Sequence, residues 1–167
     1  MVWSTVETKA MVKLAPMWRA LHSLISGRPN TQRAGGGSRT VVIALVVGEH
    51  DRDTLAAVSG DEALDVRFPE TRVGAWDEMT RFRSPVILYD RDWPNAEWRS
   101  TVYSFANSPQ RPCVILTSRV ADEYLWQELI RWGGHDLLAK PLRREDVSRA
   151  LKLALSYGNS ARATAKK

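Results

Sequence analysis

The stretch Val86-Ile87-Leu88-Tyr89-Asp90, with Pro94 four residues after the aspartate, is the most informative part of the chain. Its continuous apolar run predicts a strand that is buried on both faces. Asp90 follows that run, so its carboxylate should lie at the mouth of a buried strand. There it would be exposed enough to react and fixed enough to be positioned.

Two later apolar runs also end in polar residues. Val114-Ile115-Leu116 is followed by Thr117-Ser118, and Leu137-Leu138-Ala139 is followed by Lys140-Pro141. The carboxyl ends of parallel strands meet at one edge of a sheet, so we expect these groups to lie near Asp90. An acid, a hydroxyl and a lysine together predict a phosphoryl-binding site, in which the carboxylate can itself be the nucleophile.

From Thr40 onward, strand patterns alternate with helix patterns. Five strands and five helices in this order predict a doubly wound α/β fold, with a five-stranded parallel sheet flanked by five helices. Gly133-Gly134 predicts a left-handed end to the fourth helix. The inward-facing residues that we expect in the helices are Trp76, Met79, Phe82, Trp98, Val102, Phe105, Leu125, Leu129, Trp132, Val147, Ala150, Leu151 and Ala154.

Composition narrows the class of protein. The 167 residues, 44% of them hydrophobic and 26% charged, predict one soluble domain with a real core. The single cysteine, Cys113, lies in an apolar run, which fits a core position in a protein of the reducing cytoplasm. No apolar run approaches the ~20 residues of a transmembrane segment. The net charge of +5 is scattered along the chain, so direct DNA binding is not expected.

The sequence divides into three parts. Residues 1–39 form an N-terminal extension that ends in the flexible linker Gly35-Gly36-Gly37-Ser38, residues 40–157 form the folded domain, and residues 158–167 form a C-terminal tail. A short amphipathic helix is predicted near Pro16. Whether that segment contacts a partner or a membrane surface, or is a poorly ordered tail, stays open.

The stretch from Thr40 to about Tyr157 resembles the receiver domain of two-component response regulators, the CheY-like family. The resemblance rests on Asp90 with Pro94, on Thr117, and on the segment from Gly133 to Pro141. It implies the flavodoxin-like strand order 2-1-3-4-5. It also implies that Asp90 accepts a phosphoryl group from a histidine kinase or a phosphotransfer protein, while Thr117 and Lys140 bind the new phosphate.

The resemblance further implies a Mg²⁺ site beside Asp90. Receivers have an acidic pair after the first strand, where this chain has Gly48-Glu49. The expected metal ligands are therefore Glu49, Asp90 and Asp92, with one acid missing and weaker binding as the consequence. His50 or Asp51 could partly compensate, although Asp51 or Asp53 is a better candidate for the N-cap of the first helix.

The chain departs from the receiver pattern a second time, at the position whose side chain signals phosphorylation in the family. Receivers usually have a tyrosine or phenylalanine three residues before the lysine, and here that residue is Leu137. The leading hypothesis is a stand-alone receiver that is not an enzyme in the usual sense but assists its own aspartyl phosphorylation and dephosphorylation. It would signal by contact with an unknown downstream protein, because the sequence after the last helix leaves no room for a DNA-binding domain. The alternatives are a phosphorylation-independent pseudo-receiver and a small phosphatase that uses Asp90 as nucleophile.

Overall fold

The computed structural model describes residues 39–61 and 64–164, with the side chains of all of these except residue 61 and residues 158–164. The predicted helix near Pro16 and the glycine-rich linker lie outside the described residues. The first strand begins at Thr40, and the domain boundary at residue 40 stays a prediction.

Strands and helices alternate along the described chain. The strands form one parallel sheet in the order β2-β1-β3-β4-β5, which confirms the predicted doubly wound topology. The elements are β1 Thr40–Leu45, α1 Glu49–Asp61, β2 Leu64–Arg67, α2 Arg72–Phe82, β3 Val86–Asp90, α3 Trp98–Ala106, β4 Cys113–Ser118, α4 Glu123–Arg131, β5 Asp136–Ala139 and α5 Arg144–Thr164.

The central strand β3 separates two hydrophobic cores. Val86 and Leu88 face the core beneath α1 and α5, whereas Ile87 and Tyr89 face the core beneath α2, α3 and α4. All four side chains are fully buried. Because side chains alternate along a strand, an uninterrupted apolar run is what a strand covered on both faces requires. The same alternation directs Asp90 to the side of α1 and α5.

The predicted helix faces are mostly confirmed. Trp98, Val102 and Phe105 of α3 are buried, as are the four predicted positions of α5. In α2 the buried residues are Ala75 and Met79, while Trp76 is 36% exposed and stacks on Phe105 at 5.5 Å between ring centroids. The prediction of an inward Trp76 was wrong because the i, i+4 pair of Ala75 and Met79 defines the buried face.

Helix α4 ends where the two glycines predict. Gly133 has a φ of +89°, and the amide of Gly134 donates to the carbonyl of Leu129 at 2.9 Å. These features form a left-handed cap that satisfies the last carbonyls of the helix. Trp132, predicted to point inward, is the capping residue and is 37% exposed.

Helix α5 is longer than the sequence pattern indicates. It runs from Arg144 to Thr164, beyond residue 157, where the sequence places the start of a tail. Among the helices in the described part of the chain, none combines the length and hydropathy that a membrane-spanning segment needs.

Candidate functional site

Asp90 is completely buried at the carboxyl end of β3, so the prediction of an exposed carboxylate was wrong. Both of its carboxylate oxygens are bonded. Oδ2 accepts a hydrogen bond from the amide of Val47 at 3.0 Å, in the loop after β1. Oδ1 accepts one from the amide of Asp92 at 3.0 Å. Backbone amides that follow β1 and β3 thus hold the carboxylate in a single orientation.

Lys140 supplies the positive charge for this carboxylate. Its Nζ lies 2.5 Å from Oδ2 of Asp90 and 3.0 Å from the carbonyl oxygen of Val47. The backbone amide of Lys140 donates to the carbonyl of Ser118, and the following peptide bond to Pro141 is cis. Burial lowers the pKa of Lys140, but its bonds to Asp90 and Asp51 outweigh burial and hold the pKa above its usual value.

Asp51 is the second carboxylate of the site, although its place in the sequence predicted an N-cap for the first helix. Helix α1 begins at Glu49, so neither Asp51 nor Asp53 is its N-cap, and that prediction was wrong. Instead, Asp51 is 4% exposed; its Oδ2 lies 3.2 Å from Nζ of Lys140. Its Oδ1 accepts from the amide of Leu142 at 2.8 Å. The first turn of α1 therefore places the carboxylate of Asp51 in the site, whereas no acid directly follows β1.

Thr117 lies beside Asp90 on the neighbouring strand. The two residues are register partners in the pairing of β3 with β4, and the amide of Arg91 donates to the Thr117 carbonyl at 2.9 Å. Its hydroxyl is fully buried and makes no hydrogen bond to any described residue. A buried hydroxyl without a partner is costly, and a ligand oxygen at this site would satisfy it. Ser118, also buried, accepts from the amide of Val120.

The other two predicted metal ligands are not gathered around Asp90. Glu49 is exposed in the first turn of α1. The carboxylate of Asp92 forms a surface ion pair with Nε of Arg119 at 2.8 Å. Within residues 39–61 and 64–164, no group of three or more His, Cys, Asp or Glu side chains is arranged to hold a metal ion. The two carboxylates that do converge are those of Asp51 and Asp90, through Lys140.

Leu137 occupies the position where receivers usually have an aromatic residue. It is half-buried, pairs in register with Leu116 and packs against the core beneath α2, α3 and α4. A leucine held in this way has neither a ring nor a hydroxyl that could change its contacts with the site.

Comparisons with known proteins give similarity in structure alone. No family model matches the chain, and no curated protein sequence matches it. The chemotaxis protein CheY4 of Vibrio cholerae aligns with a TM-score of 0.63 at 18% identity, over 70% of this chain and 99% of CheY4. The signal receiver domain of a LuxO repressor protein from Vibrio parahaemolyticus aligns at 0.63 and 19% identity, over 76% and 98%.

The chain has the receiver fold. NtrX from Brucella abortus aligns with a TM-score of 0.67 at 14% identity, over 77% of this chain and 29% of NtrX. The sheet order 2-1-3-4-5 and its five flanking helices agree with these receiver structures. At such identities the likeness concerns the receiver fold alone.

Proposed function

We propose that this chain is a receiver domain that accepts a phosphoryl group on Asp90 from a histidine kinase or a phosphotransfer protein. The observation that carries the proposal is the pairing of Asp90 with the ammonium of Lys140, beside the hydroxyl of Thr117, which has no hydrogen-bond partner among the described residues. A carboxylate flanked by a cation and a free donor is suited to phosphoryl transfer, in which positioning and charge stabilisation dominate.

In the proposed step, a phosphoryl group moves from a phosphohistidine to Asp90, and each bond that forms is matched by one that breaks. An oxygen of Asp90 attacks the phosphorus of a phosphohistidine, the P–O bond forms as the P–N bond breaks, and the imidazole leaves with the electron pair and takes up a proton. Lys140 then pairs with the phosphoryl oxygens, and the hydroxyl of Thr117 donates to one of them. In dephosphorylation, water attacks the phosphorus, the P–O bond to the Asp90 oxygen breaks, and inorganic phosphate leaves while a proton is released to solvent. The domain would thus take part in its own phosphorylation and dephosphorylation.

A Mg²⁺ ion fits this group of residues. Mg²⁺ in phosphoryl-transfer sites is commonly held by one or two carboxylates together with phosphate oxygens and waters. Asp51 and Asp90 are the two carboxylates that would hold it here, whereas Glu49 is exposed and Asp92 is paired with Arg119. When bound, the ion would neutralise the negative charge that accumulates between the carboxylates and the phosphoryl oxygens.

Phosphorylation would be read by another protein. It adds about −1.5 to −2 charges at the edge of the sheet. That charge shifts a conformational equilibrium only as far as Thr117 and Lys140 bind it differently in two states. We propose that the signal passes to a downstream protein by direct contact and not through DNA bound by this domain. The expected compartment is the cytoplasm.

A phosphorylation-independent pseudo-receiver is the second candidate, and two observations favour it. Asp90 is fully buried with both carboxylate oxygens bonded. Leu137 stands where receivers usually have an aromatic residue. In such a module the Asp90–Lys140 pair would be a structural element only. Partner binding would then be the same with Asp90 and with an uncharged asparagine at this position.

Intact-mass spectrometry after incubation with acetyl phosphate and Mg²⁺ separates the two candidates. We expect the wild-type chain to gain the mass of one phosphoryl group and Asp90→Ala to gain none. Asp53→Ala, at an exposed aspartate of α1, is the matched control and should behave as the wild type. No gain on the wild type, or an equal gain on Asp90→Ala, would refute phosphorylation at Asp90.

A further inference from the structure

The edge of the sheet opposite Asp90 is lined with arginines. The strands of the sheet are parallel, so their amino ends meet at this one edge. Arg39 lies directly before β1, Arg83 lies three residues before β3, and Arg111 lies two residues before β4. The exposed arginines of this surface, which we call the arginine edge, are Arg39, Arg81, Arg83, Arg111 and Arg131.

Three of these arginines enter neighbouring strands at nearly the same level. The strands β1, β3 and β4 are in register through the paired residues Val42, Val86 and Cys113. Arg39, Arg83 and Arg111 each precede that level by two or three residues. Because neighbouring strands are about 4.8 Å apart, three positively charged residues follow one another along this edge.

The loops of the arginine edge are one-sided in charge. The segments that lead into β1, β3, β4 and β5 are residues 39, 83–85, 107–112 and 132–135, and their sequences contain no Asp or Glu. Asp136 follows as the first residue of β5. By contrast, the loops beside Asp90 mix both signs, as in the ion pair of Asp92 with Arg119. The arginine edge is therefore the surface of this domain that suits an acidic ligand.

Two of these arginines have a backbone conformation that other residues adopt more easily. The φ angle is +50° at Arg83, the C-cap of α2, and +46° at Arg111, in the loop before β4. Glycine and asparagine are the residues that ordinarily take this left-handed conformation. The helix dipole favours a cation at Arg83, but Arg111 lies five residues beyond the end of α3 and gains little from it. The stability of the domain alone therefore does not explain an arginine at both positions.

The loop that contains Arg111 also has unsatisfied polar groups. Oγ of Ser108 and Oε1 of Gln110 are buried and have no hydrogen-bond partner among the described residues. Such groups are costly, and native structures contain few of them. A peptide backbone has both the acceptors and the donors that this hydroxyl and this amide oxygen lack.

Exposed aromatic rings flank the arginine edge. Tyr103 is 53% exposed and Trp132 is 37% exposed, and their rings meet edge to face with 6.2 Å between centroids. A Cβ on Gly133 would lie 2.9 Å from Cβ of Ala106, so the ends of α3 and α4 are in contact beside these rings. Arginine, tyrosine and tryptophan are the residues that most often dominate the binding energy of protein interfaces. Rings that meet edge to face do not offer the parallel platform on which the bases of a nucleic acid stack.

We propose that the arginine edge, together with Tyr103 and Trp132, binds an acidic segment of a partner protein. Guanidinium groups pair with carboxylates through two parallel hydrogen bonds, and the rings contact apolar side chains between the acids. Binding at this surface does not depend on phosphorylation. Because the surface lies at the edge of the sheet opposite Asp90, a bound segment leaves the loops around the phosphoacceptor uncovered.

Fluorescence anisotropy of a labelled deca-glutamate peptide, titrated with the full-length chain at low salt, tests the proposal. We expect the wild type to bind the peptide and the double variant Arg83→Asn, Arg111→Asn to bind it about tenfold more weakly, because two ion pairs are lost. Asparagine is chosen because it accepts the left-handed conformation. The control removes two exposed arginines near the start of α5, by Arg143→Asn and Arg149→Gln, and should bind as the wild type does.

Three results would overturn the acidic-segment proposal. The first is a double variant that binds the peptide as tightly as the wild type. The second is an equal loss in the control, because binding would then follow net charge and not this surface. The third is tighter binding of a labelled oligothymidine of the same charge that is lost in the same double variant, because the arginine edge would then be a nucleic-acid surface.

The wild-type chain provides a measurement that does not depend on the folding of a variant. In NMR spectra, the deca-glutamate peptide should shift the backbone amide of Arg111 and the indole N–H of Trp132, and should leave the amide of Val47 beside Asp90 unchanged. Binding that shifts neither Arg111 nor Trp132 would place the peptide elsewhere and refute the proposal. Absence of the phosphoryl mass gain on the wild type, with these peptide results as expected, would remove the proposed function and leave this surface intact.

Discussion

At the scale of single residues, the ion pair of Lys140 is the feature with the clearest consequence for pH. Its pKa is raised in the folded state because the bonds to Asp90 and Asp51 outweigh the effect of burial. A group whose pKa is raised by folding stabilises the protein fully below its unfolded pKa, about 10.4 for lysine, and loses that contribution as pH rises through the folded value.

The unfolding free energy should therefore fall above about pH 10.4. Urea denaturation of the wild type and of Lys140→Met, measured between neutral pH and the alkaline range, checks this. We expect the wild type to lose more stability across that range than the variant, because only the wild type carries the titrating pair. Parallel curves for the two proteins would show that Lys140 contributes nothing to the pH dependence.

Removal of the Asp51 carboxylate should lower the free energy of unfolding. Asp51→Ala leaves the amide of Leu142 without an acceptor and removes one of the two acids at Lys140. We expect a loss of about 2–4 kcal/mol in urea denaturation. Asp51→Asn should lose less, because its amide oxygen still accepts from Leu142.

The exposed Asp53 of the same helix provides the control. Asp53→Ala should change the unfolding free energy by no more than about 0.5 kcal/mol. If Asp51→Ala is as mild as this control, the hydrogen bond and the ion pair of Asp51 are not stabilising.

Of the two buried acids of the site, Asp90 could be predicted from the sequence and Asp51 could not. Asp90 could be found because it follows an apolar run, and the register then brings Thr117 beside it. Asp51 has no such signal, since an acid in the first turn of a helix is usually explained by capping or the helix dipole. Which side of that turn faces the site depends on how α1 packs on the sheet, and the local pattern does not contain that information.

At the scale of elements, the end of α4 depends on two glycines for different reasons. Gly133 has a φ of +89°, and a Cβ on Gly134 would lie 2.2 Å from Cδ1 and 3.2 Å from the carbonyl oxygen of Leu129. Gly134→Ala must therefore push Leu129, a buried residue, out of its position. Overpacking of this kind typically costs about 1–3 kcal/mol.

Gly60 in α1 is the matched control, because a Cβ there meets nothing within 4 Å. In urea denaturation we expect Gly134→Ala to be destabilised by about 1–3 kcal/mol and Gly60→Ala to be unchanged or stabilised by up to about 1 kcal/mol. Equal effects of the two substitutions would contradict the close contact with Leu129.

The strands and helices differ in how well the sequence predicted their bounds and their buried residues. The bounds of β5 agree with the sequence pattern, and the inward residues of α3 and α5 are confirmed. Trp76 and Trp132 were predicted to point inward and are partly exposed. Tryptophan combines a large apolar surface with a position at the edge of a helix face, so periodicity alone does not decide its burial.

At the scale of the whole molecule, Cys113 reports on global opening. The thiol lies in β4, 4% exposed, and burial raises its pKa to about 11. Only the thiolate is a good nucleophile, so the native protein should react very slowly with a thiol reagent at neutral pH, and the unfolded chain rapidly. Reagent kinetics with and without urea check this. Rapid reaction without urea would mean that the sheet opens locally around β4.

The fold as a whole was predictable because many separate sequence patterns along the domain indicate it. Apolar runs, helical spacings and terminal glycines occur throughout residues 40–157, and each supports the same alternation of strands and helices. Within the candidate site, the sequence predicted that Thr117 and Lys140 lie near Asp90. It did not predict that Asp51 and the carbonyl of Val47 also contact Lys140, because these two groups reach the lysine only through the packing of α1 and the β1 loop.

The most direct test of the central claim is to locate the phosphoryl group on the chain. After incubation with acetyl phosphate and Mg²⁺, reduction with borohydride converts a phosphorylated aspartate to homoserine, and peptide mass spectrometry then identifies the residue. We expect the conversion at Asp90 and at no other aspartate. Conversion at Asp51 or Asp92 instead, or none at all under conditions that label a known receiver, would contradict Asp90 as the phosphoacceptor.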